Sequence, residues 1–511
     1  MSTISTAVGV ERLSRTTGYA IQRGKFNNDT PYLPQRIAIL GEANSNNQTG
    51  LTVDPVEVTS ASEAGDLWGY GSPIHMVMSI LRPLSGDGVG GIPTIVYPQI
   101  SDGDAVGGDS TATIRTWTVT GTATANTTHK VVVNGRYGLG FKYYDVSIAI
   151  GDTPTVIAGK VKDAINAVTN APCTATNALG VITITSKWEG LTSAELHIAF
   201  DLGTKTAGVS YSQTASVDGS GGVSLADTLA LFGDEWNTIV INTYGTAQFD
   251  ALEAFNGVPN DLTPTGRYSG LIFKPFIAYA GSVLSDKDDL VAITNDSDRV
   301  DQVTNAICVA PNSKGFSFES ATNVAYLASI VYQNQPHLDI SNLSYPDMPI
   351  PSDGNIGDLN AYVNRDFSLK KGCSTVLLKN GSYVIQDFVT TYHPDGEIPL
   401  QYNYVRNLNI DFNIAYKYRL LEQTYLVDKV IASNEQLVTV SNVIKPIEWK
   451  SIVYGLMDDL AEIGLIIDPQ FSKDSIVVNI STVNPNRFET TFSYKRTGTV
   501  RIASTTAKAG F

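Results

Sequence analysis

Residues 101–110 (SDGDAVGGDS) and 216–224 (SVDGSGGVS) are two Gly/Asp/Ser stretches of nearly the same make-up, and the chain between them reads differently from the chain on either side. Such residues favour turns and punctuate regular structure. Upstream the pattern is α/β. Residues 36–40 are a short apolar run stopped by Gly41, which reads as a buried strand, and 56–59 read as another. Ser60 and Glu63 stand at capping-box spacing before a short helix. Pro73 opens a second helix with Ile74, Val77 and Leu81 on one face, and 93–97 return as a strand. Downstream the alternation resumes, with helices at 225–232, 247–255 and 318–332 and strands at 238–242, 274–280 and 306–310. Between the two stretches lie β-rich segments at 115–120, 131–134, 141–150, 181–185 and 195–200, with one helix candidate at 153–167. Matching linkers around a self-contained β pattern predict a β-rich, sandwich-like domain (106–222) inserted into a discontinuous α/β core (31–105 with 223–370). The other reading is that these strands extend the main sheet.

The last quarter has its own pattern. Residues 383–390 read as a strand, and 408–427 carry Phe412, Tyr416 and Leu420 at four-residue spacing. Pro446 starts a helix with Trp449, Ile452, Leu456, Leu460 and Ile463 on one stripe, which Gly464 stops. Residues 474–480 read as a strand. Phe488, Thr490, Phe492 and Tyr494 then alternate with Glu489, Thr491, Ser493 and Lys495, a period-two strand. A further strand candidate, 499–503, leads into a polar tail. The fold class expected is a multidomain α/β (α+β) chain, with a C-terminal domain at 371–485 and terminal segments at 1–30 and 486–511.

Composition bounds what such a chain can do. Its 511 residues exceed one core, and 42% apolar content is enough to bury several. Tyr outnumbers Phe, 24 to 17, which with many Thr, Val and Ile favours strands over long helices. No run of about 18 apolar residues is present, so no membrane insertion is expected. The first 20 residues lack the apolar block of a signal peptide, and synthesis in the cytoplasm follows. Cys173, Cys308 and Cys373 are too few and too scattered for a disulfide framework or a zinc pattern.

A net charge of −15 argues against direct nucleic-acid binding. The ends depart from that total. Arg12, Arg15, Arg23 and Lys25 face only Glu11 in residues 1–25, and Arg487, Lys495, Arg496, Arg501 and Lys508 face only Glu489 in 481–511. Two basic ends on an acidic body read either as solvated tails or as arms attracted to neighbouring acidic bodies.

Enzyme signals are weak. Residues 86–91 (GDGVGG) match GxGxxG but follow a helix and precede a strand, the reverse of the dinucleotide-binding order. No P-loop, GxSxG or HExxH occurs. His75, His129, His197, His337 and His393 have no partner at metal-ligand spacing. Residues 393–397 (HPDGE) are first a turn, and the acidic runs 286–289 and 296–301 lack calcium-loop spacing. No catalytic residue, cofactor or metal is expected.

Residues 381–387 (GSYVIQD), 404–411 (YVRNLNID), 427–432 (VDKVIA), 446–460 and 486–511 (NRFETTFSYKRTGTVRIASTTAKAGF) together resemble contractile tail sheath proteins, especially those of Mu-like phages. Residues 117–123 (WTVTGTA) and 151–158 (GDTPTVIA) look like the insertion of that subgroup. The resemblance runs through most of the chain, whereas the first 30 residues match only loosely.

What the resemblance implies is a structural subunit that self-assembles as a helical homopolymer of six-subunit rings. The rings stack around a tail tube protein, between baseplate and tail terminator, in a virion tail assembled in the host cytoplasm. Terminal arms would pair with sheets of adjacent subunits, the C-terminal α/β region would face the tube, and the inserted domain would project outward. The N-terminal arm would use Arg12, Arg15 and Arg23. The C-terminal arm would donate a strand carrying Arg487, Phe488, Thr490, Phe492, Tyr494, Lys495, Arg496 and Arg501. The tube-facing choice is Asp458, Asp459 and Glu462 on the 446–463 helix. The alternatives are the sheath of a headless phage-derived injection system or bacteriocin, an adhesion protein, and, further off, a hydrolase.

Overall fold

Residues 37–42, Ile-Ala-Ile-Leu-Gly-Glu, are buried on both faces, as a strand with helices above and below must be. In the computed structural model, which describes residues 32–101, 110–259, 263–294, 299–397 and 401–509, this strand is central to a six-stranded sheet. The spatial order is Asn305–Val309, Ile277–Ser282, Ile239–Asn242, Ile37–Glu42, Thr94–Gln99, Val56–Glu57. Every neighbour pair is parallel except the last, where the short Val56–Glu57 edge runs antiparallel. Alternate residues feed two cores. Ile37, Ile39, Ile239 and Ile241 face a large cluster reached by the Pro73–Leu81 and Ser317–Asn334 helices. Ala38, Leu40 and Val240 face a smaller one closed by Leu229, Phe232, Leu252 and Phe276. Strands from both sides of the 110–222 stretch therefore share one sheet.

The Ser317–Asn334 helix lies close on the sheet because of one glycine. A Cβ on Gly281 would stand 1.6 Å from the Ser317 carbonyl oxygen and 2.7 Å from Ser320 Oγ. Gly281→Ala should therefore lower stability by about 3 kcal/mol, through forced separation of helix and strand. Urea unfolding checks it. A fall in midpoint at constant m is expected; a wild-type midpoint would mean the helix backs off freely.

Between residues 110 and 222 the chain forms two antiparallel sheets. Ser210–Val217, Ala112–Thr120, Val181–Glu189 and Cys173–Ala178 make one, and Ile198–Asp201, Thr127–Val133 and Asp145–Ile148 the other, with the Pro154–Asn166 helix packed against them. This stretch is called the insert below. Two of its strands, Cys173–Ala178 and Ser210–Val217, have too much Thr, Ser and Asn and too little apolar alternation to be read from sequence. The expected 141–150 strand is broken, with Lys142–Tyr143 turning back on Gly138–Leu139 before Asp145–Ile148.

The C-terminal part packs the Val405–Tyr425 and Pro446–Glu462 helices around Ile410, Ile414, Trp449, Val453, Leu456 and Leu460. Residues 474–480 are not one strand. Asp468 caps a short helix, Pro469–Ser475, and only Val477–Ile480 is extended. Residues 499–503 form no strand either.

Candidate functional site

Arg12, Arg15 and Arg23 lie outside the described residues, so the basic C-terminal segment is the one whose surroundings are visible. Phe488–Thr491 pairs antiparallel with Val477–Ile480 of the same chain, with Phe488 opposite Ile480 and Thr491 opposite Val477. The inward side chains join the C-terminal core. Phe488, Phe492 and Tyr494 pack against it, Phe492 meets Tyr418 with ring centroids 5.2 Å apart, and Trp449 Nε1 donates to Thr490 Oγ1 at 3.1 Å. The alternation places residues 488–495 on one strand with one apolar face; the strand instead ends at Thr491, and Lys495–Arg496 pair antiparallel with Ile466–Ile467. What it could not say is whose sheet they complete; here it is their own.

Four of the five basic residues of the segment, Arg487, Lys495, Arg496 and Arg501, meet a carboxylate of their own chain. Arg496 binds both oxygens of Asp411, Nε to Oδ1 at 2.7 Å and Nη2 to Oδ2 at 2.6 Å, and Tyr494 Oη donates to Oδ1 at 2.8 Å. Burial pushes the Asp411 carboxyl up, and Arg496 holds it down. The same burial opposes the Arg496 charge, but Asp411 outweighs it, and the guanidinium stays protonated. Lys495 reaches Asp468 at 2.8 Å and lies over the Phe471 ring at 4.1 Å. Arg487 pairs with Glu489 at 3.4 Å on the surface. Arg501 bridges Asp339 and Asp387, the latter at 2.9 Å, with its guanidinium 3.6 Å from the centre of the Tyr404 ring. Its neighbours Val500 and Ile502 are 89% and 87% exposed, so this stretch is held by the Arg501 side chain.

The receptors were not singled out from sequence, although a signal was present. Two of the segments quoted above, 381–387 and 404–411, each end on an aspartate, Asp387 and Asp411, that receives a tail arginine. Asp339 had no such signal.

The hairpin Val477–Ile480/Phe488–Thr491 is a two-stranded sheet, and among the described residues neither outer edge is paired. Of the proposed tube-facing residues, Asp458 is exposed and pairs with Lys473 at 2.5 Å, while Asp459 and Glu462 are exposed on the same helix. Among the described residues no group of His, Cys, Asp and Glu could hold a metal ion. His393 is buried with its Nδ1 2.6 Å from the Thr391 carbonyl, and Glu397 accepts from Tyr392 Oη. That loop is a turn held by its own bonds.

Against this geometry stands a curated relative. Over 194 residues the chain is 25% identical to the Mu-like prophage FluMu tail sheath protein of Haemophilus influenzae. The chain is similar to a tail sheath protein. The alignment spans 37% of this chain and 37% of that relative. Solved structures that match include the sheath tail protein of Desulfitobacterium hafniense, at 11% identity and TM-score 0.45 over 94% of this chain and all of that one. The anti-feeding prophage helical sheath in its contracted state matches at 9% identity and TM-score 0.43, over 98% of this chain and all of that one. No family model matches the chain.

Proposed function

We propose that the chain is a subunit of a contractile tail sheath, polymerising as stacked six-subunit rings around a tail tube and shortening to drive the tube through the host envelope. The observation that carries this reading is the similarity to a Mu-like prophage tail sheath protein. The open-edged C-terminal hairpin is compatible with it, because an unpaired edge accepts a strand from another chain through main-chain hydrogen bonds. An interface of this kind that does not close on a ring generates a helical polymer. On this reading residues 1–30 and 486–511 are arms, the bonds made by Arg487–Arg501 within one chain are exchanged between subunits, and Asp458, Asp459 and Glu462 face the tube. The 31–105 and 223–370 segments form the α/β core, 106–222 points outward, and 371–485 is the tube-side domain. The particle is a virion tail assembled in the host cytoplasm, with tube, baseplate and terminator as partners.

Electron microscopy of the chain co-expressed with its tube protein should show striated tubes, and discrete particles alone would overturn the reading. The arm has its own test. Because Phe488, Phe492 and Tyr494 pack in the C-terminal core, deletion must start beyond them. A chain lacking 498–511 should keep its circular dichroism, with a lower thermal midpoint because Asp339 and Asp387 lose Arg501, but fail to form tubes. Tubes from that chain would remove the arm from the assembly.

A further inference from the structure

In a mostly parallel sheet, the crevice beyond the carboxyl ends of the strands where the order reverses is where a ligand binds. Here the reversal lies between Ile37–Glu42 and Ile239–Asn242, and the last residue of the first strand is a buried glutamate, Glu42, 1% exposed. The insert covers this crevice. Thr192 Oγ1, from the insert, donates to Glu42 Oε2 at 2.7 Å, and Ser101 Oγ, from the end of the body, donates to Oε1 at 2.8 Å. Gly190 of the insert comes so close that a Cβ on it would stand 3.1 Å from Oε1.

The two connections of the insert cross at the same place. Ser110 Oγ donates to the Ser101 carbonyl, Thr111 pairs with Ser220, Gly190 N donates to the Thr111 carbonyl at 3.1 Å, and Leu191 N donates to the Gly221 carbonyl at 3.1 Å. Glu42 therefore touches the body and the insert at once, beside the residues that tie the two connections together.

Among the described residues no cation compensates it. The groups that face it are Glu189, from the insert strand Val181–Glu189, and Tyr244, from the turn after Ile239–Asn242, and both raise its pKa or are raised by it. Its hydrogen-bond partners serve either protonation state. Thr192 Oγ1 already accepts from Trp188 Nε1 at 2.9 Å and keeps a second lone pair, so it can give its proton to a carboxylate or take one from a carboxyl.

We propose that Glu42 is a proton-controlled latch: its neutral carboxyl, held between Ser101 and Thr192, keeps the insert docked over the carboxyl edge of the sheet, and its ionisation loosens the insert at its two connections. A carboxylate without a counter-charge is costly to bury, whereas a neutral carboxyl with two hydroxyl partners is not. Burial accordingly pushes this carboxyl from 4.5 up to about 7, near neutrality, against the lowering effect of Thr192 and Ser101. The sign follows. A raised folded pKa gives stability that is full below the unfolded value of 4.5 and lost as pH rises through about 7.

The second half of the seam is built on a charged pair instead. There Arg136 of the insert binds Glu319 of the body at 2.8 Å, and Glu195 of the insert accepts from Ser317 N at 2.6 Å.

Amide hydrogen exchange on the full chain, corrected for intrinsic rates, tests the latch. Protection at residues 110–111, 190–193 and 219–221 should fall roughly tenfold or more between about pH 5.5 and about pH 8.5, while Ile239–Asn242 keeps its protection. In Glu42→Gln, which is neutral at every pH, the same amides should stay protected throughout. Equal protection of the wild type at both pH values, or the same fall in the glutamine variant, would overturn the proposal. If Glu42→Gln does not fold, infrared difference spectra of the wild type decide. A protonated-carboxyl band should vanish as pH rises through about 7, and a carboxylate spectrum unchanged from about pH 5.5 upward would exclude the latch.

Discussion

Arg136→Met is expected to lower stability by about 3–5 kcal/mol at pH 8, with part of that loss recovered near pH 5. The guanidinium sits between Glu319 and the more exposed Asp347, at 2.8 and 3.4 Å. Glu319 is 4% exposed, and its carboxyl is already above the usual carboxylate range because burial outweighs the pull of Arg136. Asp347 raises Glu319 further, and Glu319 in turn raises the buried Glu195. Removing the cation leaves two acids at the start of the Ser317–Asn334 helix with no charge to offset them. The folded pKa of Glu319 must then rise again, so the penalty is greatest above that pKa and relieved as the carboxyl takes a proton. Urea unfolding at the two pH values measures both parts. Replacing Glu319 by Gln in the same chain should recover most of the loss at pH 8. A pH-independent loss would mean that Arg136 acts by packing alone.

Asp411→Ala should cost about 3–5 kcal/mol and free the tail beyond it. The substitution strands the Arg496 guanidinium and the Tyr494 hydroxyl in a buried site, where a missing acceptor is expensive. Arg496 also opens the stretch through Thr497, whose hydroxyl donates to the Gly464 carbonyl at 2.6 Å, toward Arg501. Denaturant unfolding should show the loss, and limited proteolysis should cut after Lys495 or Arg496 where the wild type resists. Combining Asp411→Ala with Arg496→Met removes the stranded charge, and the double variant should be more stable than Asp411→Ala alone. Glu489→Ala, at the exposed pair with Arg487, is the control and should cost far less. Equal losses for Asp411→Ala and Glu489→Ala would show that the buried pair carries no special weight.

Much of the architecture is legible in local patterns, for identifiable reasons. The run at 36–40 and those at 238–242, 274–280 and 306–310 are strands because both faces are apolar, which only a sheet covered on two sides accommodates. Ser60 and Pro73 start helices where their capping chemistry says they should, with Ser60 Oγ accepting from Glu63 N; the structure adds Ser72 Oγ accepting from His75 N. The insert strands Cys173–Ala178 and Ser210–Val217 escape the same reading because their outward faces are Thr, Ser and Asn. Their identity as strands comes from pairing with Val181–Glu189 and Ala112–Thr120.

The C-terminal segment shows where local reading stops. Its alternation and its positive charges are properties of the sequence, so a basic segment with a strand in it is legible in residues 487–501 alone. Which carboxylates it meets does not. Asp339, Asp387 and Asp411 lie 162, 114 and 85 positions away from the arginines they bind, and only the packing of helices and hairpin brings them there. Glu42 is the same case at the other end of the chain. By sequence it is the polar residue that closes a strand; its burial, its hydroxyl partners Ser101 and Thr192 and the lack of a counter-charge among the described residues come from tertiary contact. Periodicity and capping act within a few residues and can be read in order, whereas desolvation and charge pairing depend on neighbours that tertiary contact alone supplies.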